Sequence, residues 1–375
     1  MIALSILLNI LGCRANARDK LTGKGLTARR LETKIEKRRK TLDDVAKLAK
    51  VSPITVSRAL RNPDVVSPEL RRRIDAAVHR LAYVPNLSAS RLASSRSHAV
   101  GVIVPTLYNV IFAEYLLALH EVFLDSGFQV IVVNSRYSVD EEEQAIRTLL
   151  GQRVEAIIIV GVDHTPMARH LLQQSKTPVI ETFELTDDPI HINIGLSQSG
   201  AGRDATKHLI ELGHRKIGFV VGRLDVRAAA RLSGYREAMA ESDLPCQDVL
   251  PERQTHSSIA LGSSIMEELA NGGKVPEALF CIDDNLALGA LMKCRQLGMR
   301  VPQDISILGF HDLEFAAYSA PTLSSVATHR HALGKLAAET VIEAISENSG
   351  KTIKQIDLGY KIIGRESTGE CLGEV

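Results

Sequence analysis

Residues 41–86 read TLDDVAKLAKVSPITVSRALRNPDVVSPELRRRIDAAVHRLAYVPN, and the sequence encodes three short amphipathic helices there. Thr41 caps a first helix whose apolar positions Leu42, Val45, Ala46 and Ala49 recur at helical spacing. Lys50 and Val51 make a turn. Ser52 then caps a second helix with Pro53 at its first position, where the missing N–H costs nothing. Val56, Ala59 and Leu60 form the inner side of that helix, while Ile54, Thr55, Ser57, Arg58 and Arg61 face outward. Asn62-Pro63-Asp64 breaks it. Ser67-Pro68 repeats the cap-and-proline start for a third helix lined by Leu70, Ile74, Ala77, Val78 and Leu81, which Tyr83-Val84-Pro85-Asn86 ends. A helix end that shows polar and basic side chains after a tight turn suits the major groove of DNA. Spacing alone also fits a generic three-helix bundle, because short helical pairs are common.

Charge favours the first reading. Residues 1–98 hold 21 Lys and Arg against 8 Asp and Glu, or +13; residues 99–375 hold 24 against 36, or −12, which together make the chain's +1. A nearly neutral chain has placed its positive charge at one end. That polarity suits a phosphate backbone, and the acidic remainder would avoid it.

The stretch resembles the headpiece of the lac repressor family of bacterial transcription regulators. The residues that carry the likeness are Thr41-Leu42, Asp44-Val45-Ala46, Ala49, Val51-Ser52, Thr55-Val56-Ser57-Arg58, Leu60, Val66-Ser67, Tyr83 and Pro85-Asn86. Ala82 departs from it, standing where the family often has Gly. The resemblance implies a helix-turn-helix DNA-binding domain over 41–85. Pro53, Ile54 and Arg58 fall where the family reads base edges; Thr41, Ser52, Thr55, Ser57 and Ser67 fall where it contacts phosphates, and Arg61 joins this DNA-facing set. Arg58 has the fork that bonds a guanine bidentately, whereas hydroxyls on phosphates only position the protein. Residues 86–98 are small, polar and basic, a linker by composition. In the family this is the hinge helix, and Asn86, Ala89, Leu92 and Ala93 match it, with Leu92 in the place of the leucine that wedges a minor-groove base step in a dimer.

From Ala99 the texture changes. Apolar runs at 100–105, 130–133, 156–160, 178–180, 217–221, 278–282 and 305–309 alternate with helical patterns near 112–126, 140–151, 166–175, 199–212, 228–241, 258–271, 284–298 and 331–346. Such alternation predicts parallel sheets with helices on both faces, and the length predicts two lobes. The resemblance extends over this region and implies the periplasmic-binding-protein fold. The expected class is therefore α/β, an all-α headpiece followed by a two-lobed, doubly wound parallel-sheet domain over 99–375. Lobe one takes about 99–198 and 327–350, and lobe two about 199–326 and 351–366.

Ligands in such sheets bind beyond the carboxyl ends of strands. The loops there nominate Tyr108, Asn109 and Phe112, then Arg227 and Arg231, then Asp283 and Asp284, then His311. By resemblance, Arg231 is the effector-binding arginine and Asp283-Asp284 the polar pair. His311 and Ser197 stand where Asp is usual. Losing carboxylates while showing arginines suits an acidic sugar, since Arg binds carboxylate bidentately. The alternative is structural: Arg227 or Arg231 pairs with Asp225 or Glu237. The strings IFAEYLLALH, GRLDVR, LFCIDDNLALGA and KCRQLGMRVPQDISILGFHD resemble the gluconate-utilisation branch of the family, which points to gluconate or 2-ketogluconate.

The five cysteines show no metal or redox spacing, His329-x-His331 lacks a third ligand nearby, and no nucleophile elbow, P-loop or zinc motif occurs. No cofactor, no metal and no enzymatic activity are expected. Residues 1–40 begin apolar and turn basic; without a preceding Lys or Arg the apolar run is a poor export signal. The expectation there is a disordered or mis-assigned extension, or a basic arm on DNA. A cytoplasmic, nucleoid-bound homodimeric repressor follows, with operator duplex and a sugar acid as partners and no membrane. A solute-binding protein of a sugar transporter is the alternative, although it would have no use for residues 41–97.

Overall fold

The computed structural model describes residues 40–84, 97–249, 255–346 and 353–371. The extension 1–39 and the hinge positions Asn86, Ala89, Leu92 and Ala93 lie outside the described residues. The chain forms two compact units, up to Ala93 and from Ser94 onward.

The first unit is helical: α1 (Leu42–Ala49), α2 (Pro53–Arg61) and α3 (Pro68–Leu81), with a 3-10 turn at Pro63–Val65. Its caps are those the sequence announces. The Thr41 backbone N–H and hydroxyl both donate to Asp44 Oδ2, at 2.8 and 3.0 Å. Ser52 Oγ accepts from Thr55 N–H at 3.2 Å, and Ser67 Oγ from Leu70 N–H at 3.4 Å. Val45, Ala46, Ala49, Val56, Ala59, Ile74, Ala77 and Tyr83 make the core. Arg73 donates to the Ala49 carbonyl at 2.6 Å, so it ties α3 to the end of α1. Ala82 sits in the left-handed region at φ 47°, a conformation that favours glycine and accounts for the Gly the family often has there.

The second unit holds two six-stranded sheets. The first runs β11-β5-β4-β3-β1-β2, all parallel, from β1 (Ala99–Val104), β2 (Gln129–Asn134), β3 (Ala156–Val160), β4 (Val179–Thr182), β5 (Ile192–Gly195) and β11 (Lys354–Asp357). The second runs β12-β10-β9-β8-β6-β7, from β6 (Ile217–Val220), β7 (Gln247–Val249), β8 (Ala278–Cys281), β9 (Ser306–His311), β10 (Ser324–Ala327) and β12 (Lys361–Ile363), with β12 antiparallel. Helices α4 (Ile111–Asp125), α5 (Val139–Gly151), α6 (Pro166–Gln174) and α11 (Arg330–Ser346) belong to lobe one. Helices α7 (Gln198–Glu211), α8 (Val226–Glu241), α9 (Ile259–Asn271) and α10 (Asp284–Gln296) belong to lobe two. Apolar cores lie on both faces of the first sheet. A single larger core, with Phe219, Phe280 and Phe310 fully buried, fills lobe two.

The chain leaves the first sheet after β5 and enters lobe two with α7 at Gln198, and it returns to lobe one with α11 after β10 ends at Ala327. The last crossing comes later than the sequence suggests. Lys354–Asp357 pairs with Ile192–Gly195 in the first sheet, so lobe one keeps β11 and the chain crosses at 358–360 rather than at 350. A short polar edge strand carries no periodic signal to reveal this.

One glycine pair sets the distance between the helices beneath the site. A Cβ on Gly202 would lie 2.3 Å from the Arg231 carbonyl oxygen, and one on Gly234 would lie 1.9 Å from that of Ser199. Only glycine lets α7 and α8 pack this closely.

Asp284 braces the other side of lobe two. It is fully buried. Ser325 Oγ–H donates to its Oδ1 and Leu313 N–H to its Oδ2, both at 2.6 Å, which binds the start of α10 to β10 and to the segment after β9. Burial pushes its carboxyl up to about 7, against the two hydrogen bonds that lower it. Unfolded, the group loses its proton near about 3.9. The folded state thus holds the extra proton between those values, and stability falls as pH rises from about 4 to about 7. Asp284→Asn should remove this part of the pH dependence. The drop in melting temperature of the second unit between pH 5 and pH 8 is then smaller in the variant; an equal drop would contradict the assignment.

Candidate functional site

Two surfaces carry candidate residues. On the headpiece, Ser52, Pro53, Ile54 and Arg58 are exposed together on α2, with Ile54 67% accessible although apolar. Thr55 and Ser57 are half-buried beside them, Thr41 is half-buried at the start of α1, and Ser67 is exposed at the start of α3. Arg61 lies on the last turn of α2. The Ser52 and Thr55 hydroxyls lie 2.8 Å apart. Lys47 and Lys50 are exposed close to this helix start. An exposed isoleucine and arginine on a helix that begins in Ser-Pro have the chemistry that suits base edges, and the hydroxyls and lysines have that which suits phosphates.

The second surface is a cleft of about 590 Å³, open solvent at its mouth included, at the carboxyl ends of strands from both sheets. Lobe one lines it with Thr106, Tyr108, Asn109, Ile111 and Phe112 after β1 and with Tyr137 after β2. Thr106 Oγ1 accepts from Tyr108 N–H and Asn109 Oδ1 from Ile111 N–H, at 3.1 and 3.2 Å, which shapes that loop. Phe112 is buried edge-on against Phe183 at 5.3 Å, whereas Tyr108 is 77% exposed.

Lobe two supplies the charge. Asp225 caps α8, accepting from Ala228 N–H at 2.9 Å, and Arg227 Nη2 lies 3.2 Å from its second oxygen. Burial works against both charges, yet their mutual attraction wins: the Asp225 carboxyl is held below its usual range and the Arg227 guanidinium above its own. The structural alternative therefore holds for part of Arg227. Its Nη1 also reaches lobe one, 3.5 Å from where a Cβ on Gly161 would stand.

Arg231 behaves differently. It pairs with neither Asp225 nor Glu237; Glu237 faces Arg203 instead. Arg231 Nε donates to Gln198 Oε1 at 2.7 Å, its Nη1 donates to the Ile282 carbonyl at 2.8 Å, and its guanidinium lies 3.9 Å from the centre of the Phe310 ring. Among the described residues its Nη2 has no hydrogen-bond partner, and the residue lines the cleft. Burial lowers it to about 10, which leaves it cationic at neutral pH.

His311 ends β9 at φ 100°, with Nδ1 3.2 Å from Thr328 Oγ1 and its carbonyl accepting from Arg330. Burial, with Arg231, Arg330 and Arg227 near, holds the imidazole well below its ordinary pKa, so the ring is neutral. Asp283 caps α10 by accepting from Leu286 N–H at 3.0 Å, and burial raises its carboxyl.

Seven of the eight nominated effector residues thus line one cleft: Tyr108, Asn109, Phe112, Arg227, Arg231, Asp283 and His311. Asp284 does not, because both its oxygens are spent on Ser325 and Leu313. Ser197 caps α7 by accepting from Gly200 N–H at 3.0 Å and is also outside the lining, so of the two departures from Asp only His311 bears on a ligand. Tyr137, Arg223, His256 and Ser257 were missed. The Arg223 guanidinium covers the Tyr137 ring at 4.7 Å, and His256 lies 5.9 Å from it. For Tyr137 and Arg223 the signal was available, since they follow the apolar runs of β2 and β6, which are parallel to their neighbours and open at the same edge; His256 and Ser257 follow β7, which no apolar run announces. Three guanidinium groups, two carboxylates and two imidazoles line the cleft, the imidazole of His311 being neutral.

No helix among the described residues is long and apolar enough to cross a membrane. The sequence matches the family "Bacterial regulatory proteins, lacI family" over residues 41–86 and the "Periplasmic binding protein-like domain" over 206–368. It is 37% identical over 335 residues to the HTH-type transcriptional regulator GntR of Pseudomonas aeruginosa, covering 88% of this chain and 96% of that one. A transcriptional regulator of the same family from Silicibacter pomeroyi superposes with a TM-score of 0.82 at 30% identity, covering 88% of this chain and 99% of the other. The lac repressor dimer bound to operator and an anti-inducer superposes with a TM-score of 0.75 at 27% identity, covering 88% and 100%. Headpiece, two-lobed domain and near full-length likeness agree, and the chain belongs to the lacI family of bacterial regulatory proteins.

Proposed function

We propose that this chain is a cytoplasmic, homodimeric repressor that binds operator DNA through residues 41–86 and is released by a sugar acid, gluconate or 2-ketogluconate. The observation that carries the effector class is Arg231: a buried cation in the cleft whose Nη2 has no hydrogen-bond partner among the described residues, beside a neutral His311. A neutral sugar offers that arginine only hydroxyl acceptors, whereas a carboxylate completes its hydrogen bonding and adds an opposite charge. The hydroxyls of the sugar chain find Asp283, Asn109 and Ser257 at the same cleft.

A second copy has a surface to meet. Val110, Leu117 and Leu124 recur every seven residues along α4 and are 59%, 55% and 64% exposed, a stripe that pairing would cover. The lac repressor it resembles is a dimer on its operator. Effector entry then changes the lobe angle and weakens DNA binding. The solute-transport alternative is not favoured, since the GntR relative aligns over nearly its full length.

Two outcomes are expected. In thermal-shift and operator-release titrations, gluconate or 2-ketogluconate acts and glucose does not. Arg231→Lys weakens that effect by about tenfold to a hundredfold, the worth of a charged hydrogen bond, while operator binding without effector persists. Equal response to glucose, or no loss in the variant, would defeat the sugar-acid reading. Arg58→Ala should cost about 1–3 kcal/mol of operator affinity and relax preference at one base pair. Effector-induced melting shifts stay unchanged; a uniform loss across unrelated duplexes would make Arg58 a phosphate contact only.

A further inference from the structure

We propose that His214, Glu277 and Cys371 form a binding site for a zinc-like divalent cation, at the end of lobe two opposite the cleft. A ring nitrogen of His214, a carboxylate oxygen of Glu277 and the sulfur of Cys371 all lie within 4.8 Å of one another. His214 precedes β6 and Glu277 precedes β8, so both stand at the amino ends of strands whose carboxyl ends open on the cleft. Cys371 arrives from the far end of the chain, after β12. No sequence motif joins them, because the three ligands come from three separate segments.

The histidine supplies the independent observation. His214 is 2% exposed. Its Nε2 lies 3.1 Å from the Gly369 carbonyl oxygen, which can only accept, so Nε2 carries the hydrogen and Nδ1 keeps its lone pair. Among the described residues Nδ1 is buried and has no hydrogen-bond partner. A metal-binding histidine characteristically donates its other N–H to a backbone carbonyl in this way, which fixes its tautomer.

The other two ligands are held in place. Glu277 accepts from Arg215 N–H at 2.6 Å and from Lys216 N–H at 3.0 Å through one oxygen, which leaves the second available. The Cys371 N–H donates to the Leu212 carbonyl at 2.8 Å, and Gly369 N–H donates to Ser306 Oγ at 3.2 Å, so the tail is pinned to lobe two on either side of the site. Nitrogen, carboxylate and thiolate donors suit zinc, with water in a fourth position. Bonds of about 2.0–2.3 Å at tetrahedral angles need ligands roughly 3.5 Å apart, within reach of small side-chain rotations. On binding, the Cys371 thiol gives its proton to solvent and the sulfur takes the cation; nothing is oxidised or reduced. The ion would staple the C-terminal segment to lobe two.

The test uses the full chain and two probes. Cobalt(II) should bind with a near-ultraviolet thiolate-to-metal band, absent in Cys371→Ser and retained in Cys246→Ser. Zinc should bind one equivalent per chain with an affinity at least tenfold higher in the wild type than in Cys371→Ser, and should raise the melting temperature of the wild type but not of that variant. Absence of the thiolate band, or zinc affinity unchanged by Cys371→Ser, would overturn the site. His214→Asn is the second variant. Its loss of the cobalt band, with the metal-free circular dichroism spectrum unchanged, supports the site, and a retained band refutes it.

Discussion

Burying the guanidinium of Arg231 is the constraint around which lobe two is arranged. A buried charge costs several kcal/mol unless acceptors surround it. Here Gln198 at the start of α7, the Ile282 carbonyl at the end of β8 and the ring of Phe310 in β9 surround it. Each comes from a different element, so all three must be in register before the charge is tolerated. Gly202 and Gly234 bring α7 against α8 closely enough for Gln198 to reach. Asp284 then fixes α10 to β10 and to the segment after β9, holding Asp283 and His311 at the cleft. The same arrangement leaves Nη2 of the arginine without a partner among the described residues, so the cost of burial is met incompletely until a ligand arrives.

The cleft is also where the two lobes meet chemically. Arg227 from lobe two approaches Gly161 in lobe one, and Arg330 from lobe one pairs with Glu114 while donating to the His311 carbonyl. An anion that engages Arg231 enters among charges already shared across the cleft. It therefore has a route to alter the lobe angle without touching the headpiece. The headpiece needs little from this: its core of small aliphatics and Tyr83, with three side-chain caps, is complete in itself.

Much of this was legible in the sequence, for physical reasons. The headpiece helices announce their starts with Thr41, Ser52-Pro53 and Ser67-Pro68. Strands β1, β3, β8 and β9 are buried on both faces, and β1, β3 and β8 read as unbroken apolar runs. Strands β5, β7, β10, β11 and β12 were missed, being short and either edge strands or rich in small and polar residues such as Ser324-Ser325 and Lys354-Gln355. Adjacent residues with one chemistry were equally opaque. Asp283 and Asp284 look alike in sequence, yet one caps a helix at the cleft and the other is walled in behind it. Arg227 and Arg231 differ by one helical turn, and only the fold shows that the first already has Asp225.

In the proposed binding mode a carboxylate completes the hydrogen bonding of Arg231. A crystal structure of the protein grown with gluconate tests this most directly. The ligand carboxylate is expected within hydrogen-bond distance of Arg231 Nη2, with a ligand hydroxyl at His311. A gluconate bound with its carboxylate turned to solvent, or a cleft that takes glucose in the same pose, would contradict it.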